Sequence, residues 1–307
     1  MFWAAVFVRL KGMRDLDAHE TYHPDKNRLH EDLRNLADAP LALAEVYPGP
    51  YGVVGFGEGW WPAELAREWI PAALVQEGTQ FVLQGGYDLG EAMGAGLFAE
   101  AGGARVVRIG FGDGADVEIP PHPLAAYRYL QYLLHATGQH AEAEKVRQAV
   151  AREKEHLVPE VPTEQNPAKL TAWNLVERTP VWVVSDRYPE LARAAQQVFA
   201  RVAKSLSISP PPAGLEFFIT ALEARHEQGD PLVAVVLGDD ERTRLAVEIL
   251  GTRVDTIVEL PPPQAEGLIA ETMAYWYRLA WVSYYLALMY GQDPGDQEVL
   301  SRLRDAT

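Results

Sequence analysis

The chain contains no cysteine, which excludes disulfides, thiol catalysis and cysteine-ligated metals. Its eight histidines show no paired metal-ligand spacing, so no metal is expected. The apolar opening from Met1 to Leu10 is too short to span a bilayer. It also lacks the basic leader and small-residue cleavage site of a signal peptide. Met13 is the expected start, with the residues before it an over-called extension. With export signal and thiols both missing, the expected location is cytoplasmic. Basic residues are scarce, and the net charge of -16 argues against nucleic acid or an anionic membrane as partner. Asparagine is limited to Asn27, Asn35, Asn166 and Asn174, Arg far outnumbers Lys, and Pro is frequent, biases that fit a thermophilic source or a high-GC genome.

What is present is a globular composition, 48% apolar and 23% charged over 307 residues, enough for two domains. Twice in the first third an apolar strand runs through a glycine turn into a helix. The first pass is Val53-Val-Gly-Phe-Gly-Glu-Gly-Trp60; the second is Phe81-Val-Leu-Gln-Gly-Gly-Tyr-Asp-Leu-Gly-Glu91. A third strand, Ala104 to Gly110, follows the second helix. This alternation predicts a parallel sheet and puts both turns at strand C-termini, where such folds bind ligands. Amides freed by glycine there suit an anion such as a phosphate. Yet the turns carry Glu58 and Asp88 and no Ser or Thr. Gly57, Glu58, Gly59, Gly85, Gly86, Tyr87 and Asp88 are therefore ligand-binding candidates whose backbone favours an anion and whose side chains oppose one.

Along the chain, a polar helix is expected around Asp25–Ala37, and the first α/β unit ends at Pro120-Pro-His-Pro123. Pro123 begins a helix with Tyr127, Leu130, Leu133 and Leu134 on one face. A charged helix, Ala141–His156, precedes the rigid connector Pro159 to Pro162. Then come a helix over Ala168–Glu177, a strand at Val181–Val184, a long helix over Pro189–Ser205 and a helix over Leu215–Gln228. The continuous apolar strand Leu232–Leu237, a helix over Arg242–Leu250, a strand at Thr256–Leu260 and an aromatic helix over Gly267–Tyr290 complete the series. The expected organisation is a short extension (1–24) and two α/β domains (25–158 and 159–307), the second ending in the long helix.

In this second half, Glu164-Gln-Asn-Pro-Ala-Lys-Leu170 ahead of Arg178-Thr-Pro-Val-Trp182 resembles the second-domain entry of the bifunctional phosphoglucose/phosphomannose isomerases. Val282-Ser-Tyr-Tyr-Leu-Ala-Leu-Met-Tyr-Gly-Gln-Asp-Pro294 and Leu300 to Arg304 resemble that family's closing helix and tail. The order of elements matches from about Asp15 to Thr307. The resemblance implies two sugar isomerase (SIS) domains, each a parallel sheet flanked by helices. It also implies a homodimer with its site between domains and subunits, and cofactor-free aldose–ketose isomerisation of glucose and mannose 6-phosphates.

The departures fall where that family does its chemistry. Its first turn carries a serine where this chain has Gly59, and its second reads serine-glycine-asparagine-threonine where this chain has Gly85-Gly86-Tyr87-Asp88. The proton-transferring glutamate aligns with Arg201, beside a retained lysine, Lys204; a guanidinium cannot take a proton from carbon. The ring-opening histidine aligns with Ile219, near a retained Glu216, and the tail lysine with Arg304. Weak or lost turnover is therefore expected. Arg201, Lys204 and Arg304 join the turn residues as candidate ligand contacts.

Glu216, Glu223 and His226 share a helical face, and Glu216 with His226 are candidate relocated catalytic groups, although a solvated helix face is the commoner meaning of such a pattern. Tyr275, Trp276, Tyr277, Trp281, Tyr284 and Tyr285 read as core or dimer interface rather than a sugar platform. Trp60 and Trp61 read more readily as filling ligand space than as stacking on a sugar, and Gly110 to Gly114 as a plain turn. The partner expected is a sugar or sugar phosphate, handled by a weakened isomerase. The alternatives are a non-catalytic regulatory dimer or an enzyme for an uncharged or cationic sugar derivative.

Overall fold

The computed structural model describes residues 15–39, 45–85, 89–112, 114–188, 190–209, 220 and 231–305. A first parallel sheet holds Tyr51–Phe56 (β1), Thr79–Gly85 (β2), Arg105–Phe111 (β3) and Val117–Glu118 (β4), in that spatial order. A second holds Thr179–Val184 (β5), Leu232–Leu237 (β6) and Ile257–Leu260 (β7), again parallel. Every residue of β2 is buried, as expected of a central strand covered on both faces. The register aligns Val53 with Phe81 and Phe81 with Val107, so this row of the sheet is apolar.

Helices intervene in the order Leu29–Arg34 (α1), Trp60–Ala66 (α2), Leu89–Gly102 (α3), Ala125–Ala136 (α4), His140–Leu157 (α5), Pro167–Leu175 (α6), Leu191–Val198 (α7), Glu241–Leu250 (α8), Leu268–Met289 (α9) and Glu298–Asp305 (α10). The α/β alternation read from the sequence is thus the alternation of the fold. The helix expected over Leu215–Gln228 falls outside the described residues but for Thr220.

Three elements differ from expectation, each for a local reason. The opening helix starts at Leu29 rather than Asp25. Asp25 instead accepts hydrogen bonds from the Leu29 and His30 amides, from the His30 ring and from the Tyr284 hydroxyl, and a carboxylate so placed ends the run toward the N-terminus. The helix expected over 189–205 begins at Leu191, is regular only to Val198, passes through a π-turn at Phe199–Ala203 and stops at Lys204 in a left-handed conformation (φ 54°). The third strand extends one residue to Phe111 and pairs with a short β4 through Ile109 and Gly110, so Gly110 belongs to the sheet and not to the turn.

α9 is the axis of the molecule. All residues from Ile269 to Met289 are buried, so its aromatic cluster is core and neither a sugar platform nor an exposed dimer surface. Trp276 stacks on Trp61 with centroids 5.7 Å apart, and Trp281 stacks on Tyr285 at 5.6 Å. Trp61 belongs to the first half and Trp276 to the second, so one hydrophobic core runs through both. Arg278 seals the α9–α5 contact with a two-point ion pair to Glu153 at 2.8 and 2.9 Å. The connector at 159–162 is equally fixed: buried Lys169 donates to Asp17 Oδ1 (2.7 Å), Pro159 O (2.8 Å) and Val161 O (2.9 Å). Within the expected extension 1–24, Leu16 is fully buried in the same core.

Candidate functional site

β1 delivers the chain into the first glycine turn, Gly57–Gly59, which leads directly into α2. Gly57 sits at φ 55°, and a side chain there would lie 2.8 Å from Gly85 O. A Cβ on Gly85 would lie 2.1 Å from Glu58 N. Both glycines are thus demanded by the first turn packing directly on the end of β2, before any ligand is considered. Gly59 packs against Leu83 in the same way.

The side chains of this turn are covered by one face of α7 and its π-turn. Arg193 lies over the Trp60 ring, 4.2 Å from its centroid. Gln197 donates to Gly57 O at 3.4 Å. Arg201 Nη1 meets Glu58 Oε1 at 2.7 Å. The four-residue spacing of Arg193, Gln197 and Arg201 puts them on one stripe. Trp60 is therefore covered by this stripe, while its neighbour Trp61 is wholly core.

Glu58 and Arg201 are nearly sealed from solvent, their side chains 6% and 12% exposed. Glu58 Oε2 accepts from the His122 amide at 3.3 Å, and Arg201 donates to His122 O at 3.3 Å. The Pro-rich loop thus clips carboxylate and guanidinium together with its backbone. On the other side, Gln297 Oε1 accepts from Arg201 Nε (3.3 Å) and Nη2 (2.9 Å). Lys204 donates to the carbonyls of Arg201 and Asp296, tying the π-turn to the loop before α10. Burial lowers the Lys204 pKa against the pull of Asp296.

The His122 ring completes the cluster. Its Nδ1 accepts from Leu124 N (3.1 Å), so the proton resides on Nε2, which donates to Asp32 Oδ2 at 3.2 Å. Burial drives its pKa below the ordinary histidine value despite Asp32, with Arg128 and Arg201 adding to the depression. Arg128 Nε is buried without a hydrogen-bond partner among the described residues.

Of the sequence candidates, the structure brings Glu58 and Arg201 into contact, with Gly57, Gly59 and Gly85 beneath them and Lys204 behind. Lys204 faces backbone carbonyls rather than the turn. Gly86, Tyr87, Asp88, Glu216, Ile219 and His226 lie outside the described residues, as does the side chain of Arg304. Two cations of β3 are engaged elsewhere: Arg105 stacks over Tyr47 at 4.6 Å and Arg108 pairs with Glu100 at 2.7 Å. Sequence reasoning missed His122, Asp32, Gln197, Arg193, Arg128 and Gln297. The repeat of long polar residues at 193, 197 and 201 was the one visible signal. Among the described residues no cluster of His, Asp and Glu suits a metal ion, and no helix is long and apolar enough to cross a membrane.

What the arrangement offers chemically is a neutralised, polar turn. The carboxylate of Glu58 is ion-paired with Arg201 and accepts from the His122 amide, while the guanidinium of Arg201 also donates to His122 O and Gln297 Oε1.

Comparison with known proteins gives this geometry its context. Residues 29–138 match the phosphoglucose isomerase N-terminal domain, and residues 164–306 match the bacterial phospho-glucose isomerase C-terminal SIS domain. No curated protein matches the sequence. Among solved structures, a glucose-6-phosphate isomerase like protein from Thermus thermophilus is 50% identical, with a TM-score of 0.88 over 96% of this chain and 100% of that one. Two more distant structures share the fold. The C-terminal domain of glucosamine-fructose-6-phosphate aminotransferase from Francisella tularensis is 13% identical (TM-score 0.57, 93% of this chain and 99% of that one). Glucosamine-6-phosphate deaminase from Thermotoga maritima is 11% identical (TM-score 0.58, 91% and 96%). With both halves matched and one relative 50% identical along its full length, the chain belongs to the phosphoglucose isomerase family and is a glucose-6-phosphate isomerase-like, SIS-fold protein.

Proposed function

We propose that this protein binds a sugar derivative in an interdomain cleft beside its first glycine turn, and that aldose–ketose turnover of glucose and mannose 6-phosphates is weak or lost. The observation that carries this reading is the Glu58–Arg201 pair. An isomerase base must present free lone pairs to a carbon acid next to a carbonyl. At the aligned position stands a cation, and the neighbouring carboxylate directs its oxygens at Arg201 and at the His122 amide. The relocated candidates Glu216 and His226 remain part of the proposal as the groups whose removal would abolish any residual turnover.

The reading includes two SIS units, 25–158 and 159–307, in a cytoplasmic homodimer from a thermophile. A second copy would pack on α3, where Met93, Leu97 and Phe98 are each more than half exposed and Gly90 and Gly94 have open space above them. Exposed apolar faces of this kind mark interfaces. A second reading, a non-catalytic regulatory dimer, is favoured by the same ion pair.

A coupled assay of fructose 6-phosphate conversion, run beside calorimetric titration with sugars and sugar phosphates, tests the proposal. Binding with little or no turnover is expected; conversion at ordinary isomerase rates would overturn it. Turnover that is weak and vanishes in Glu216→Gln or His226→Gln supports the enzyme reading, whereas binding with none at all supports the regulator.

A further inference from the structure

We infer that Glu58 is the specificity-determining residue of this site: it occupies the place of a ligand's anionic group on Arg201, so that the site takes unphosphorylated sugars and excludes phosphorylated ones. This rests on the sugar-binding reading above and names the ligand class within it.

The argument begins with how tightly the pair is specified. Arg201 is held from three directions, by Glu58, by the His122 carbonyl and by Gln297. Its backbone is fixed by the π-turn and by Lys204. Glu58 is held by a turn whose glycines pack backbone against backbone. Neither charge reaches the other by a swing of a flexible side chain; the fold delivers both to the same spot. A guanidinium prepared this way, with its N–H groups fanned in one plane, is the group best suited to a phosphate or carboxylate. In this chain the matching carboxylate is built in.

Stability alone does not account for the pair. Buried ion pairs are commonly no better for stability than apolar side chains of equal volume, and the turn that carries Glu58 is already flanked by Trp60, Trp61 and the Pro-rich loop. The pair does set the charge of the turn. With Glu58 ionised, Arg201 presents no net positive charge, and a phosphate brought beside it meets a second anion at close range. An uncharged polyol meets neither penalty, because hydroxyl groups both donate and accept. Arg128 Nε is a further buried donor without a hydrogen-bond partner among the described residues.

The test uses the full-length protein with inorganic phosphate as probe, at ionic strength matched with chloride. Glu58→Gln keeps the shape and removes the charge, leaving Arg201 uncompensated. Thermal melting of this variant is expected to rise with millimolar phosphate, while the wild type does not respond. The double variant Glu58→Gln/Arg201→Gln is expected to lose the response. In parallel, wild-type calorimetry is expected to show glucose binding at least about tenfold tighter than glucose 6-phosphate, the scale set by one like-charge contact. The inference is overturned if the wild type binds the phosphorylated sugar as well as the free one. It is equally overturned if phosphate fails to stabilise Glu58→Gln, including the case in which that variant does not fold even with phosphate present. If the variant gains phosphate binding but wild type binds no sugar, the sugar-site reading fails and the charge-blocking role of Glu58 stands.

Discussion

Lys169→Met would be the sharpest test of how the two halves are joined. The lysine side chain is wholly buried, yet all three ammonium hydrogens have acceptors: Asp17 Oδ1, Pro159 O and Val161 O. Methionine fills nearly the same volume, so the change removes hydrogen bonds without opening a large cavity. Asp17 is the least affected partner. It is 43% exposed and keeps donations from the Thr163 amide and hydroxyl at 3.0–3.1 Å. The two part-buried connector carbonyls lose their donor, at about 1–2 kcal/mol each. The expected loss is therefore about 2–4 kcal/mol, which for a chain of this size lowers Tm by roughly 5–10 °C.

Urea unfolding should show this as a lower midpoint at an unchanged slope, since neither state changes its exposed surface much. The pH dependence supplies a second readout. Burial alone would raise the Asp17 pKa; hydrogen bonds from Lys169 and Thr163 outweigh it and lower the value below 3.8. A carboxylate depressed in the folded state stabilises above its unfolded pKa and loses that contribution as pH falls through the folded value. Lys169→Met should therefore flatten the acid limb below about pH 4. A loss under about 1 kcal/mol, or an acid limb identical to wild type, would refute the assignment of Lys169 as the staple of the connector.

Three further outcomes are expected. Trp61→Ala removes a ring stacked on Trp276 in the shared core and should cost about 3–5 kcal/mol, measured by urea unfolding; a cost below about 1 kcal/mol would mean the core does not depend on that stack. His122, held neutral by burial, contributes stability above pH 6.5 that is lost as pH falls through its depressed folded value. His122→Gln should accordingly narrow the gap between urea midpoints at about pH 7.5 and about pH 5.5, on either side of the ordinary histidine value, and an unchanged gap would contradict the assignment. Replacing Leu97 and Phe98 on α3 by Asp should shift sedimentation velocity toward a monomer without lowering Tm; an unaltered sedimentation coefficient would place self-association elsewhere.

The parallel order of the strands was legible because apolar runs bounded by glycine and proline alternate with helical periodicity, and that alternation is set locally. The role of α9 was legible only in part: its periodicity left the aromatics as core or dimer interface, and burial of every residue from Ile269 to Met289 decides for core. Trp60 and Trp61 were ambiguous, since adjacent helical residues point about 100° apart and only the neighbours decide which is sealed. The structure sends Trp61 to Trp276 and Trp60 under Arg193. The π-turn at Phe199–Ala203 had no sequence mark, because an inserted residue in a helix reflects packing at its end. The Glu58–Arg201 contact was out of reach for a related reason. The two residues come from opposite halves, and each read alone as an obstacle: a carboxylate where an anion should bind and a cation where a base should stand. Only their distance of 2.7 Å turns two misfits into one neutral unit.

That neutral unit also explains how a glycine turn of this kind can stay closed. In a turn prepared for phosphate, amides and cations face solvent until the ligand arrives. Here the turn is covered from within. Gly57 and Gly85 press the first turn onto β2, and Arg193, Gln197 and Arg201 lay one face of α7 across it. The Trp61–Trp276 stack and the Arg278–Glu153 pair hold the halves at that spacing. Separating α7 from the turn would expose a carboxylate and a guanidinium and also strip Trp60 of its cover, so the three contacts support one another. A ligand that enters must then either fit beside this seal or replace its contacts in kind. An uncharged polyhydroxyl compound can do the first. A phosphate can do only the second, in competition with a carboxylate already fixed in place, and a tethered anion holds the advantage over a free one because its positioning entropy was lost during folding.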